Sequence, residues 1–461
     1  MPDQRDLRAL RDSLWRRGPV YTESDRALAR LVARPVREFL RVEYASSVLL
    51  LAAAVIALVW ANSAWSSTYE ELWETHIVLD VGVLQIDESL QHWVNDALMV
   101  FFFFVVGLEI KYELVNGDLR DPRSAALPIV AAIGGMVVPA GIYAVVVGGG
   151  AGSSGWGIPM ATDIAFAVGV IGLLGRRIPA PARLFLLTLA VVDDIGAIVV
   201  IAVFYTADLD LVWLAAAVAL LLVMLAMRLL RIWALPAYVA VGSLAWLATL
   251  ESGVHATLAG VVMGLMTPAR PLLEERVARE YAREAIADRE LDADELARLR
   301  FLLSESVPMV ERLQTRLHPL SAYVVLPVFA LANAGVALDG GVLREAVGST
   351  IALGITLGLV VGKPLGIVLA SLLAVRLGLG RLPDGTGWRM LTGLGAVGGI
   401  GFTVSLFIAG LSFPGEELLT SEAKIGILAG SILSAAVGVT LLLLATRRVG
   451  TDSRPEPPES A

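Results

Sequence analysis

Cysteine is absent from the 461 residues. That excludes disulfides and thiolate metal sites and leaves no redox clue to compartment. Charge is scarce too: Asp, Glu, Lys and Arg make up 17% of the chain against 56% hydrophobic residues, and the mean hydropathy is +0.72. A soluble domain has no use for so many apolar runs of span length, so that class is excluded. The formal net charge is -8, and the basic residues are nowhere gathered into a patch, which excludes a nucleic-acid partner. No apolar stretch of signal-peptide type lies near the start, and no repeated low-complexity tract is found.

What is present is a series of apolar spans, at about 46–63, 95–113, 124–148, 157–175, 181–205, 210–231, 233–250, 253–267, 319–337, 347–376, 389–412 and 421–446. About 20 apolar residues cross a bilayer, so the pattern predicts an all-α polytopic membrane protein of about 12 transmembrane helices, 253–267 being short. Twelve crossings put 33 of the 36 Lys and Arg on one side. Only Arg344 and Lys424 fall on the other, and Lys363 lies within a span. By the positive-inside rule both termini are then cytoplasmic. The chain divides into a tail at 1–45 with ten Arg, a transmembrane domain at 46–447 and a tail at 448–461. Two insertions interrupt the domain. His76–Asp87 is rich in β-branched residues and reads as an external β-hairpin. Residues 268–318 form a charged cytoplasmic loop with helical spacing of its apolar residues, most simply a solvated helix.

The chain is organised around PARLFLLTLAVVDDIGAIVVIAVFY, Pro181 to Tyr205, because Asp193 and Asp194 sit near the middle of this span. One charge at that depth costs at least about 2.5 kcal/mol. Two carboxylates roughly 4 Å apart repel by about 4 kcal/mol at an effective dielectric near 20. Such a pair favours retaining one proton around neutral pH, and a site of that kind can exchange a proton for a cation. Span 157–175 buries Thr162 and Asp163 beside Pro159, and span 389–412 has Gly393, Gly395, Gly398, Gly399 and Gly401, followed by Thr403 and Ser405. Each Gly weakens a helix interior by about 1 kcal/mol, so both spans should break at their centres. Broken backbone at membrane depth survives only where it lines a cavity or is buried in protein, and paired breaks in two halves of a transporter point to a midplane site. Close helix packing through small residues explains the glycines alone, but not the carboxylate. Lys363, followed by Pro364, supplies the counter-charge. Paired with one Asp, it leaves the other free and the site at net -1, which one proton or one Na⁺ would neutralise.

Four positions carry weaker signals. Asp96 begins a span, where a part in ion entry or pH modulation competes with the simpler role of helix N-capping. Glu109 and Glu113, at i and i+4 beside Lys111, either attract cations to an entry or make a surface ion-pair face. His255 stands at an external helix start, where a structural role competes with pH modulation. Asn333 is expected to bond neighbouring backbone.

The strings WVNDALM, VGLEIKYEL, MATDIAFAVGV, LTLAVVDDIGAI, SGVHATLAGV, LPVFALANAGV, VGKPLGI and GIGFTVSLFIA run in order across about residues 45–447. Together they strongly resemble the NhaA Na⁺/H⁺ antiporters. The resemblance implies inverted-topology repeats (spans 3–5 and 10–12) and two broken helices crossing at the midplane. It implies Asp194 as the main Na⁺/H⁺ carboxylate, Asp193 as its partner on Lys363, and Thr162 as a neutral ligand. Asp163 and Lys363 would offset the partial charges of the broken ends. It also implies a transporter with no cofactor, exchanging two protons for one Na⁺ or Li⁺ in the bacterial inner membrane, and dimers formed through the 76–87 hairpin. The chain departs from the pattern at Gln314 and Thr315, where strongly pH-activated members carry a Glu-His pair. Its N-terminus and 268–318 loop are also longer.

Other classes fit less well. An intramembrane aspartyl protease needs its two Asp on facing spans, whereas here they are adjacent. A Na⁺-coupled symporter of an organic anion would need a further set of polar ligands. A passive cation channel is opposed by a fixed lysine at the site.

Overall fold

An apolar chain in a bilayer has only its own backbone to hydrogen-bond, and this one answers almost wholly with helix. The computed structural model describes residues 44–447 apart from 81–84, 207–208, 231, 233–234, 288–291 and 339–347. The two tails, other than residues 44–45, and the turn of the hairpin therefore lie outside the described residues.

Helix α1 (Ala45–Ala61) is followed at a bend of 113° by α2 (Ser66–Glu74). Strands β1 (His76–Asp80) and β2 (Gln85–Ser89) pair antiparallel, with Val78 opposite Asp87. A helical stretch then starts at Leu90, widens to a π-type turn at Val94–Leu98 and becomes α3 (Met99–Val115). Next come α4 (Pro122–Val147), a 3-10 helix (Ala151–Met160), α5 (Ile164–Leu174), α6 (Ala180–Phe204), α7 (Leu211–Leu229), α8 (Leu235–Glu251) and α9 (Thr257–Met266). Helices α10 (Glu275–Ala287) and α11 (Ala293–Glu305) occupy the charged insertion. Helix α12 (Met309–Leu320) runs through a π-turn into α13 (Leu326–Asn333), and α14 (Thr350–Leu357) through another, Gly358–Gly362, into α15 (Lys363–Arg376). The chain ends with α16 (Trp388–Val397), α17 (Phe402–Ser412) and α18 (Glu417–Arg447).

Among the described residues, six helices are long and apolar enough to cross a membrane, and three bent pairs raise the number to nine. The remaining expected spans fall on shorter helices: α3 and α8, of 17 residues each, and α9, of 10. One boundary differs plainly from expectation. The span placed at 319–337 belongs to a helix that already begins at Met309. Pro319 removes a single backbone bond, while Val310, Leu313 and Leu317 pack on Leu108 and Tyr112 of α3 and carry the helix through it.

The apolar residues form two large clusters. Phe185, Leu186 and Leu189 of α6 join Leu391 and Leu394 of α16 and Ile367 of α15 in one. Ala197 and Ile201 of α6 join Phe402 and Phe407 of α17, Phe103 of α3 and Phe329 of α13 in the other. Asp193 and Asp194 fall between them in sequence, so the bundle is two greasy half-cores with a polar layer in the middle. Helix α15 is brought to that layer by contact without side chains: a Cβ on Gly366 would collide with the backbone of Gly134 in α4, and one on Gly134 with Gly366. Outside the layer, Asp121 caps α4. The Ser124 hydroxyl (2.8 Å) and the Arg123 N–H (3.2 Å) donate to it and hold its carboxyl below the usual carboxylate range.

Candidate ion-binding site

Both predicted breaks are present. The 3-10 helix and α5 meet at 40°, and α16 and α17 at 50°. Between the halves, Ala161–Asp163 and Ile400–Gly401 lie outside the helices, and the two stretches lie against each other. The Asp163 N–H donates to the Ile400 carbonyl at 2.6 Å. The Thr162 hydroxyl lies 2.8 Å from the Gly398 carbonyl and 2.5 Å from Asp193 Oδ2. With one proton it can serve one of these acceptors at a time.

Asp163 is 1% exposed and joins two helix starts. Its Oδ1 accepts from the Phe166 N–H (3.0 Å), capping α5. Its Oδ2 accepts from the Thr403 N–H (3.0 Å) and hydroxyl (2.5 Å) at the first turn of α17. One carboxylate thus faces two positive helix ends. Ser405 ties the same helix to the Ile158 carbonyl at 2.8 Å.

Neighbours on a helix diverge by about 100°, so Asp193 and Asp194 leave α6 in different directions and meet different partners. Lys363, fully buried, takes Asp193: its Nζ donates to Asp193 Oδ2 and to the Met160 carbonyl. Met160 is the last residue of the 3-10 helix, so the ammonium also meets the negative end of that half-helix. The other oxygen, Asp193 Oδ1, is buried with no partner among the described residues. Asp194 is 6% exposed and has no hydrogen-bond donor among the described residues. The layer therefore holds a fully served carboxylate (Asp163), a paired one (Asp193) and an unserved one (Asp194).

The peripheral residues are spread out. Glu109 is close enough to Asp194 for their charges to interact, and Gln314 lies beside its carboxylate. Glu113 accepts the Asp118 N–H at 3.0 Å and closes the turn after α3. A ring nitrogen of His255 lies 2.8 Å from the Tyr205 carbonyl. That is 11 residues along α6 from Asp194, about 16 Å at the helical rise. Asp96 does not cap the helix. Ser89 does, accepting the His92 N–H at 3.2 Å, so the helix is under way before Asp96 is reached inside the π-turn. Asn333 bonds its own helix as expected, to the Phe329 carbonyl at 3.0 Å, but also Asn95 at 2.7 Å. Among residues not foreseen as partners, Thr403 was visible only as a polar residue after the glycines, and the Met160 carbonyl carries no sequence signal at all.

A helical bundle with broken helices crossing at a layer of buried charge defines a multi-pass membrane transporter, a class distinct from enzymes. The family described as Na⁺/H⁺ antiporter 1 matches residues 37–442. The chain is 48% identical over 418 residues to Na⁺/H⁺ antiporter NhaA 3 of Frankia alni, covering 91% of this chain and 90% of that protein. It is 49% identical over 419 residues to Na⁺/H⁺ antiporter NhaA of Rhodopirellula baltica (89% and 94% covered) and 45% identical over 428 residues to that of Rhizobium meliloti (90% and 95%). The chain belongs to the NhaA family of Na⁺/H⁺ antiporters, whose ions are substrates and which need no cofactor.

Proposed function

We propose that this chain exchanges Na⁺, and Li⁺, for protons across the bacterial inner membrane, with both termini cytoplasmic, and that the two ions compete at Asp194. The observation that carries the reading is the division of labour in the Asp pair. Lys363 and Thr162 serve Asp193, while Asp194 has no donor among the described residues. A buried carboxylate in that position holds either a proton or a cation. Asp193 Oδ1 and the Thr162 hydroxyl complete the oxygen set for Na⁺. Na⁺ drawn between the two carboxylates weakens the hold of Asp193 on Lys363, and a buried ammonium without its partner gives up its proton. One proton from Asp194 and one from Lys363 against one Na⁺ moves net charge, which makes the exchange electrogenic.

Asp163 and Lys363 offset the broken helix ends, Glu109 and Glu113 lie on the entry side, and the 76–87 hairpin joins two copies. Symport of an organic anion finds no support in the family. The test uses proteoliposomes with an acidic interior and a pH dye, to which Na⁺, Li⁺ and K⁺ are added from pH 6.5 to 8.5. Dequenching by Na⁺ and Li⁺ but not K⁺ is expected. Silence at every pH, with correctly inserted protein, would overturn the reading.

A further inference from the structure

A buried lysine is only as well placed as the backbone beneath it. The turn before Lys363 is the wide one, Gly358–Gly362, closed by the Lys363 N–H donating to the Gly358 carbonyl. In that register the next bond would run from the N–H of residue 364 to the Leu359 carbonyl. Residue 364 is proline and has no N–H. Leu359 is fully buried, and a buried carbonyl stripped of its helical donor needs another. Beside it, in the break between α16 and α17, lies Gly399. A Cβ there would collide with the Leu359 carbonyl oxygen, and Ser434 Oγ of α18 stands 2.7 Å from the same point. Ser434 is fully buried, and its hydroxyl has no partner among the described residues. An acceptor robbed of its donor and a hydroxyl without a partner among the described residues therefore flank the same point, where Gly399 has no side chain.

We propose that Ser434 is a positioning residue for Lys363: its hydroxyl serves the Leu359 carbonyl, by rotation about χ1 or through one bridging water. Helix α18, which brings no charge to the polar layer, thereby pins the wide turn and sets where the ammonium sits. The proposal rests on the exchange reading above for its transport readout.

The experiment compares wild type, Ser434→Ala and Ser431→Ala in proteoliposomes. Ser431, one turn earlier on α18, is likewise buried with an unpartnered hydroxyl, so it controls for simple loss of a buried oxygen. Ser434→Ala is expected to raise the apparent KM for Na⁺ about fivefold, the ratio for one ordinary buried hydrogen bond, with the maximal rate held within about twofold and Ser431→Ala unchanged. In a Pro364→Ala background residue 364 regains an N–H, and Ser434→Ala should then add little. Equal effects of the two serine variants, or an undiminished Ser434→Ala effect in that background, would overturn the proposal. A second measurement needs no transport: amide hydrogen exchange of a peptide covering residues 355–367 should quicken in Ser434→Ala and not in Ser431→Ala. Unchanged exchange there would also overturn the proposal. A wild-type protein that fails to exchange Na⁺ would instead sink the reading above, and the amide measurement would still decide the role of Ser434.

Discussion

Lys363→Ala should leave a carboxylate stranded in the middle of the bundle, and the size of the loss follows from what remains around it. Lys363 and Asp193 are both fully buried, and the lysine is a donor to Asp193 Oδ2 alongside the Thr162 hydroxyl. Removing one member of such a pair costs about 3–5 kcal/mol, because the other charge is left uncompensated. Thr162 stays, and a hydrogen bond to a charged group is worth about 1.5–3 kcal/mol, so the low end of that range, near 3 kcal/mol, is expected. Adding Asp193→Asn to Lys363→Ala leaves the cavity of the shortened side chain unchanged and keeps an acceptor for Thr162 while abolishing the stranded charge. The assay is thermal unfolding of purified protein in Na⁺-free detergent solution, since bound Na⁺ would itself stabilise. The expected order of melting temperature is wild type, then the double variant, then Lys363→Ala. A double variant melting at or below Lys363→Ala would show additive losses and refute the pairing as the source of the instability.

Further expectations follow from the same geometry. Thr403→Val removes the 2.5 Å hydroxyl bond to Asp163 Oδ2 but keeps the backbone donor; it should cost about 1–3 kcal/mol, read as a lowered melting temperature together with slower exchange. Asp121 has a lowered folded pKa. Its capping contribution is therefore present above the unfolded value of about 3.9 and lost as pH falls through the lower folded one. The protection of the Arg123 amide, its exchange relative to the unprotected rate at the same pH, should fall on acidification in wild type, whereas Asp121→Asn should show no such step. Deleting the 76–87 hairpin should shift the protein from dimer to monomer, measured by light scattering in detergent, while leaving Na⁺-driven exchange in place.

Much of the midplane was legible because membrane depth makes polar residues conspicuous. Asp193, Asp194, Asp163 and Lys363 each stand out in an apolar run, and a lone ammonium demands a carboxylate. The glycines between 393 and 401 and Pro159 with its flanking glycines marked the two breaks by the cost of such residues in helices. What could not be read has a common physical reason, that it depends on backbone placed by tertiary contact. The π-turns at Val94–Leu98 and Gly358–Gly362 have no local signature. The Met160 carbonyl acts only because the 3-10 helix ends beside Lys363. Asp96 misled because the helix begins earlier, capped by Ser89, and the span placed at 319–337 started too late because packing on α3 carries the helix back to Met309. Gln314 and Glu109, side by side in the structure, are far apart in sequence. The positions were recognised separately and their contact was not.

The measurement that tests competition at Asp194 most directly is proton release on Na⁺ binding. Purified wild type and Asp194→Asn are titrated with Na⁺ by calorimetry in two buffers of different ionisation heat, and the difference gives protons released per ion bound. Wild type should release between about one and two protons per Na⁺, an affinity linked to pH in the ordinary way. Asp194→Asn, folded and inserted, should neither bind Na⁺ measurably nor release protons. Sodium binding by wild type with no proton release, or undiminished binding by Asp194→Asn, would contradict exchange by competition at this carboxylate.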